Sequence, residues 1–360
     1  MDNINTRVLE LAPYQPGKPL EELSRELGIG DAIKLASNEN PRGPGQEVRR
    51  VLADAMKGVS RYPDSSGYRL KRTLAGRLGV DEAQITLGNG SNDVLELAAR
   101  VALSPGSSGV VDEHCFVVYP LAIAAAHGKV TRGASINWGH DLDGTEAAID
   151  GATRIVYIAN PNNPTGTWVT KSKLEKFLKR VPERVWVVLD EAYFEYVERD
   201  DYPDGVQMLV DYRNLIVTRT FSKIYGLAGL RIGDCVTSVE FADLMNRIRQ
   251  PFNVNALALA AAEAALTDDE YVTISRHLNM TGMDYLVEGI GKLGFRVIPS
   301  AGNFVCFESG QASGAIYQAL LELGVIVRPL KNYGMSEHLR VTGGLPDENA
   351  RFLEALSQIS

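Results

Sequence analysis

The 360-residue chain is poor in cysteine: Cys115, Cys235 and Cys306 lie far apart, form no CxxC pair and are odd in number. A disulfide scaffold and a thiolate metal site are therefore not expected, and a reducing compartment with three core thiols is the simplest reading. Histidine is scarce as well. His114, His127, His140, His277 and His338 make no HExxH or other close ligand spacing, so no metal is expected. Cationic charge is nowhere concentrated: 37 Lys and Arg face 45 Asp and Glu, a formal net charge of −8, with no block of like charges. Nucleic-acid binding needs clustered cations against phosphate, so that class is set aside. Long apolar runs are missing too. The longest, FVVYPLAIAAA (116–126), is too short to cross a bilayer. The opening MDNINTRVLELAPYQPGKP is too polar for a secretory leader. The expectation is a cytoplasmic protein without nucleic-acid or membrane partners.

What is present is an ordinary globular composition, 45% hydrophobic and 23% charged, of a length that suggests about two domains. Residues 1–40 read as an N-terminal arm, rich in Pro, Gly and Asn. Over 41–255 apolar strands alternate with helical patterns: ITLG (85–88), GVV (109–111), RIVYIAN (154–160), VWVVLDEA (185–192), LIVTRT (215–220) and RIGDCV (231–236), with a helix expected over 116–127. Such strands describe a mostly parallel sheet covered by helices on both faces, an α/β fold. Residues 256–360 read as a smaller α+β domain.

In an open α/β sheet ligands bind outside the carboxyl ends of the strands. The strand ends here carry unusual residues. GNGSND (88–93) follows the first strand, with Asp93 where a dinucleotide fingerprint has its third glycine. A helix start at Gly90, Ser91 and Asn92 suits a phosphate, although plain capping by Ser91 or Asn92 is the simpler explanation. PNNPTG (161–166) is a rigid turn holding Asn163, DEAY (190–193) puts a carboxylate after an apolar strand, and RTFSKIYGLAGLRIG (219–233) places Lys223 between hydroxyls and glycines, with Arg231 eight residues on.

A phosphate cradle, an amide, a carboxylate needing a cation and a lysine on one rim match the groups of pyridoxal 5'-phosphate: its phosphate, phenolic oxygen, ring nitrogen and aldehyde. Lys223 is then the lysine that links to the aldehyde, Asp190 the partner of the ring nitrogen, and Thr220, Ser222 and Arg231 the phosphate ligands.

At these residues the chain resembles the fold-type-I pyridoxal-phosphate aminotransferases, and within them the histidinol-phosphate aminotransferases. The likeness runs through PYQPGKP (13–19), KLASNENPRGP (34–44), RYPD (61–64), NPNNPTG (160–166), LDEAY (189–193), TFSKIYGLAGLRIG (220–233) and LRVTGG (339–344). It implies that Lys223 also moves the substrate proton and that Asn163 and Tyr193 hold the phenolic oxygen. Gly90, Ser91 and Asn92 join the phosphate ligands, and Phe116 stacks on the ring where tyrosine is frequent. Tyr62 reaches the cofactor of a second subunit in a homodimer, and the arm over 1–40 contributes to the small domain and to that dimer. Arg340, Arg328, Tyr14 and Asn38 are implied on the substrate side, two arginines suiting a phosphate dianion. The implied reaction transfers an amino group between histidinol phosphate and 2-oxoglutarate, in histidine biosynthesis. An aromatic-amino-acid aminotransferase and a threonine-phosphate decarboxylase remain open beside it. A ligand-sensing module of a transcription regulator lacks its DNA-binding segment here, and a Ser-Lys hydrolase lacks a GxSxG elbow.

Overall fold

The computed structural model describes residues 4–11, 17–310 and 313–359. Its centre is a seven-stranded sheet built from β1 (Ile85–Gly88), β2 (Ser108–Asp112), β3 (Lys129–Gly133), β4 (Thr153–Ala159), β5 (Trp186–Asp190), β6 (Leu215–Thr220) and β7 (Gly233–Val236), in the order β1-β7-β6-β5-β4-β2-β3. Pairing is parallel through β6-β5-β4-β2-β3, whereas β7 runs antiparallel between β1 and β6. A parallel neighbour needs a crossover, usually a helix. The segment 221–232 holds only a short 3₁₀ turn at Ala228–Leu230 and folds straight back. The consequence is functional: the beginning of β7, not its end, lies at the rim formed by the carboxyl ends of the other strands.

Strand residues alternate between two cores, as the period of two requires. Val156, Ile158, Val187 and Leu189 pack with the helices Tyr68–Leu78 and Ala256–Leu266 on one face. Ile155, Tyr157, Val188 and Ile216 pack with Ser91–Ala102, Val118–Ala125 and Val239–Ile248 on the other. The helix expected over 116–127 is shorter than the apolar run, so Phe116 sits in the turn that enters it.

A second sheet, of β8 (Arg296–Ile298), β9 (Phe304–Glu308), β10 (Arg328–Pro329) and β11 (His338–Thr342), is antiparallel in the order β8-β9-β11-β10. The helices Asp269–Lys292, Ser313–Glu322 and Pro346–Ser357 cover it. The N-terminal segment joins this smaller unit. Ile33–Lys34 pairs in parallel with Val325–Ile326, and Leu23 packs against Ala36, Leu321 and Ile326. One element lies elsewhere than the boundary at 255/256 implies. The alanine face of Ala256–Leu266 is buried in the core of the large sheet, packed on Gln46–Ala55, because small side chains allow three helices to approach closely there.

Candidate active site

The rim opens into a cavity of about 310 Å³ between the two sheets. Gly90, at φ 84°, is the N-cap of Ser91–Ala102, and no side chain among the described residues caps that helix. The first N–H groups are therefore left for a ligand, and the helix dipole favours an anion there. Asp93 turns aside, accepting from the backbone of Asn89 at 2.9 Å and from Asn253 at 2.8 Å. Arg231 reaches the same place from the start of β7. A β-carbon on Gly90 would run into its guanidinium, whose Cζ would lie 2.9 Å away, so only glycine fits. Arg231 itself has φ 59°, an uncommon conformation for a side-chain-bearing residue and of the kind that clusters at functional sites. Its Nη1 donates to the Ala228 carbonyl at 3.0 Å. Thr220 and Ser222 lie beside it, tied by the Ser222 N–H donating to Thr220 Oγ1 at 3.1 Å. Ser91, Thr220, Ser222 and Arg231 all line the cavity, and together they form a cradle suited to a phosphate.

Lys223 projects into the cavity and donates to the Ser37 carbonyl at 3.1 Å. Burial, with Arg340 and Arg231 nearby, brings its pKa down to about 8. A lysine poised there can act as a nucleophile and move protons near neutral pH. Asp190 ends β5, 4% exposed, and burial pushes its carboxyl above the usual range. No salt bridge to Asp190 is formed among the described residues, so a cationic ligand group is what this buried carboxyl fits.

Arg328 and Arg340 are neighbours across β10 and β11, both buried, and both line the cavity. Arg340 donates to Asn163 Oδ1 at 2.5 Å and to the Ala36 carbonyl at 2.7 Å, while its Nε has no partner among the described residues. Asn163 thus joins the arginine wall to the strand end it leaves. Both Asn160–Pro161 and Asn163–Pro164 are cis peptides. Phe116, Asn92 and Tyr193 also border the cavity. Asn38 does too, but its amide is already committed to Tyr193 and Thr342. Tyr62 stands apart from the cavity of its own chain, 83% exposed and stacked on Phe252 at 4.7 Å. Tyr14 lies outside the described residues.

The chain matches the family described as aminotransferase class I and II over residues 30–356. It is an aminotransferase of that family. It is 54% identical to histidinol-phosphate aminotransferase 2 of Pseudomonas fluorescens, over 98% of this chain and 96% of that protein. The protein of the same description from Pseudomonas aeruginosa is also 54% identical at the same coverage. Among solved structures, the histidinol-phosphate aminotransferase of Sinorhizobium meliloti in complex with pyridoxal-5'-phosphate superimposes with a TM-score of 0.92 at 29% identity, covering 100% of this chain and 98% of that one. An aspartate aminotransferase from Thermus thermophilus shares the fold, with a TM-score of 0.85 at 22% identity.

Two features of this aminotransferase escaped the sequence. Tyr119 donates its hydroxyl to Asp190 Oδ2 at 2.7 Å. In the run FVVYPLAIAAA it reads as one more core aromatic, and only the helix's position against β5 gives the hydroxyl a target. Behind the rim, on the opposite face of the sheet, Arg219 donates to Glu191 at 2.8 Å and to Asp204 at 2.8 Å. Glu191 and Arg219 follow and precede cavity residues Asp190 and Thr220, and the strand period alone turns them to the other side.

Proposed function

We propose that this aminotransferase interconverts L-histidinol phosphate plus 2-oxoglutarate and imidazole-acetol phosphate plus L-glutamate, using pyridoxal 5'-phosphate. The observation that carries the substrate class is the paired arginine wall. Arg328 and Arg340 sit opposite each other on adjacent strands and both face the cavity that holds Lys223. Two guanidinium groups suit a phosphate dianion, and a single one suffices for a carboxylate. The relatives at 54% identity carry the same assignment in their names.

When bound, the cofactor supplies an aldehyde for linkage to an amine and a cationic ring that takes up the electrons of the broken bond. The chain supplies the rest. Ser91, Asn92, Thr220, Ser222 and Arg231 hold the phosphate, with the helix N-terminus at Gly90 behind it. Asp190 keeps the ring nitrogen protonated. Asn163 and Tyr193 hydrogen-bond the phenolic oxygen, and Phe116 covers the ring face. Lys223, once free, would take the proton from the substrate α-carbon onto its Nζ and so act as the general acid–base of the transfer. One site serves both half-reactions, so the amino donor and the keto acceptor bind in turn. A second copy of the chain completes the site by presenting Tyr62 from its exposed stack on Phe252 to the neighbouring phosphate.

The test is spectroscopic. The purified protein with added pyridoxal phosphate is mixed with histidinol phosphate or with phenylalanine, and the cofactor's visible band and glutamate formation from 2-oxoglutarate are followed. Fast conversion by histidinol phosphate and a weak response to phenylalanine are expected. Preference for phenylalanine would overturn the substrate assignment, and carbon dioxide release without a keto acid would make the protein a decarboxylase. Lys223→Ala is expected to lose nearly all turnover while still binding cofactor.

A further inference from the structure

Among the described residues Asp190 accepts from Tyr119 and Ala192, and the buried Thr218 hydroxyl on the paired strand β6 also favours its charged form. Oδ2 accepts the Tyr119 hydroxyl at 2.7 Å, and Oδ1 accepts the Ala192 N–H at 3.2 Å. Tyr119 is fully buried and cannot easily turn away. Its ring stacks on Tyr157 with 4.8 Å between centroids and 14° between planes, and meets Phe116 edge-on at 5.6 Å and 81°. Tyr157 is pinned in turn, donating to the Leu95 carbonyl at 2.9 Å. One tyrosine therefore touches two groups proposed to hold the cofactor ring, the acid at its nitrogen and the aromatic on its face.

We propose that Tyr119 is a positioning residue for transamination: its hydroxyl fixes the plane of the Asp190 carboxylate and keeps it ionised, and its ring seats Phe116. The inference rests on the pyridoxal phosphate reading above. A hydroxyl donating to a carboxylate favours the charged form and orients the remaining lone pairs. Burial alone works the other way on Asp190, and the Tyr119 hydrogen bond is the largest of the contributions that oppose it. Tyr119 is a dependable donor, because burial and the adjacent carboxylate push its own ionisation far above neutral pH. The other groups facing Asp190 are the Thr218 hydroxyl, on the paired strand β6, Lys223, from the segment after β6, and Tyr193, from the turn after β5. Glu191 and Arg219 occupy the reverse face of the sheet and neutralise each other, while Tyr202 there donates to the Asn160 carbonyl. The Thr218 hydroxyl is still present in a Tyr119 variant, and the Tyr119 bond is the larger of the two side-chain contributions to the carboxylate.

Tyr119→Phe removes one hydroxyl and keeps the ring. The cofactor-free protein is titrated with pyridoxal phosphate between pH 5 and 9, and turnover is measured over the same range. Affinity is expected to fall about tenfold near neutral pH, with the acid limb of the affinity profile moved upward by about one pH unit. The kcat is expected to fall about tenfold or more, with KM for the amino donor nearly unchanged, since the substrate contacts remain. Tyr157→Phe, which loses only the bond to Leu95, is the control and leaves the acid limb in place. An unmoved acid limb in Tyr119→Phe overturns the proposal, even if affinity drops evenly at all pH values. If Tyr119→Phe does not fold, 2,3-difluorotyrosine at position 119 keeps the shape and acidifies the hydroxyl. It should move the limb to lower pH, and no movement is again a refutation. Failure of the unaltered protein to take up pyridoxal phosphate is a different result and sinks the function itself.

Discussion

Asn38 donates a side-chain N–H to the phenolic oxygen of Tyr193 at 2.8 Å, while its own Oδ1 accepts from Thr342 Oγ1 at 3.1 Å. The relationship joins the N-terminal segment, β11 of the small sheet and the turn after β5 of the large one. With its oxygen occupied as an acceptor, Tyr193 has its hydrogen left to give, and the cavity is where a ligand oxygen can take it. Asn38 has φ 56°, so a fair test avoids a β-carbon in that conformation. Asn38→Gly is expected to lower kcat/KM by about 10- to 100-fold, or roughly 1.4–2.7 kcal/mol, with the fold retained. Steady-state kinetics beside a thermal melt checks both parts.

Gly90→Ala tests the phosphate cradle. The added methyl displaces the Arg231 guanidinium and also sits at positive φ. Cofactor affinity is expected to drop by at least about tenfold, while thermal stability without cofactor changes by only about 1–2 kcal/mol. An absorbance titration of the cofactor-free protein gives the first number and urea denaturation the second. Unchanged affinity would remove Arg231 and this helix terminus from the phosphate site.

Arg340→Lys keeps the charge and loses the fork that bridges Asn163 and the Ala36 carbonyl. A lysine cannot reproduce two divergent donors. The KM for histidinol phosphate is expected to rise about tenfold or more, roughly 1.4 kcal/mol, with a smaller effect on cofactor binding. Equal effects on substrate and cofactor would show that Arg340 acts through Asn163 alone.

Asp234 tests the ionic layer behind the site. It is 2% exposed, its side chain accepts no hydrogen bond from the described residues, and burial pushes its pKa up to about 7. Unfolded, it titrates near 3.9. Between those values the folded chain binds the extra proton, so this residue's contribution to stability is greatest at low pH and declines as pH rises toward and past 7. Asp234→Asn removes that decline. The variant is expected to gain on the order of 2 kcal/mol at pH 8 relative to pH 5, read from denaturation at the two pH values. Parallel losses at both pH values would mean that the carboxyl makes a specific contact.

Much of the site was legible because its residues lie in short segments at strand ends. Ser91, Asn163, Asp190, Lys223 and Arg231 each stand one to a few residues beyond an apolar run or, for Arg231, before one, and the structure brings all five to one cavity. The helix start at Gly90 carries no side-chain cap among the described residues, which sets the capping reading aside and leaves its N–H groups open to the anion proposed above. Less was legible where the partner is remote in sequence. Asn38 and Tyr193 are separated by 155 positions, and Tyr119 and Asp190 by 71. No local spacing connects such pairs, and a tyrosine in an apolar run gives no sign of which way its hydroxyl faces.

The sequence by itself determined six of the seven large-sheet strands, helices between them and the kinds of chemical group at the strand ends, since these follow from the period of apolar residues and from local glycine and proline geometry; the edge strand Lys129–Gly133, half exposed and only partly apolar, carries no such signal. Only the tertiary structure decided that β7 runs backwards and so carries Arg231 to Gly90, that the helix Ala256–Leu266 belongs to the large sheet, and that Tyr119 holds Asp190. Those outcomes depend on how whole elements pack. Packing is chosen by the total apolar surface buried and by the polar groups that must find partners inside it, and neither is a property of any short stretch of chain.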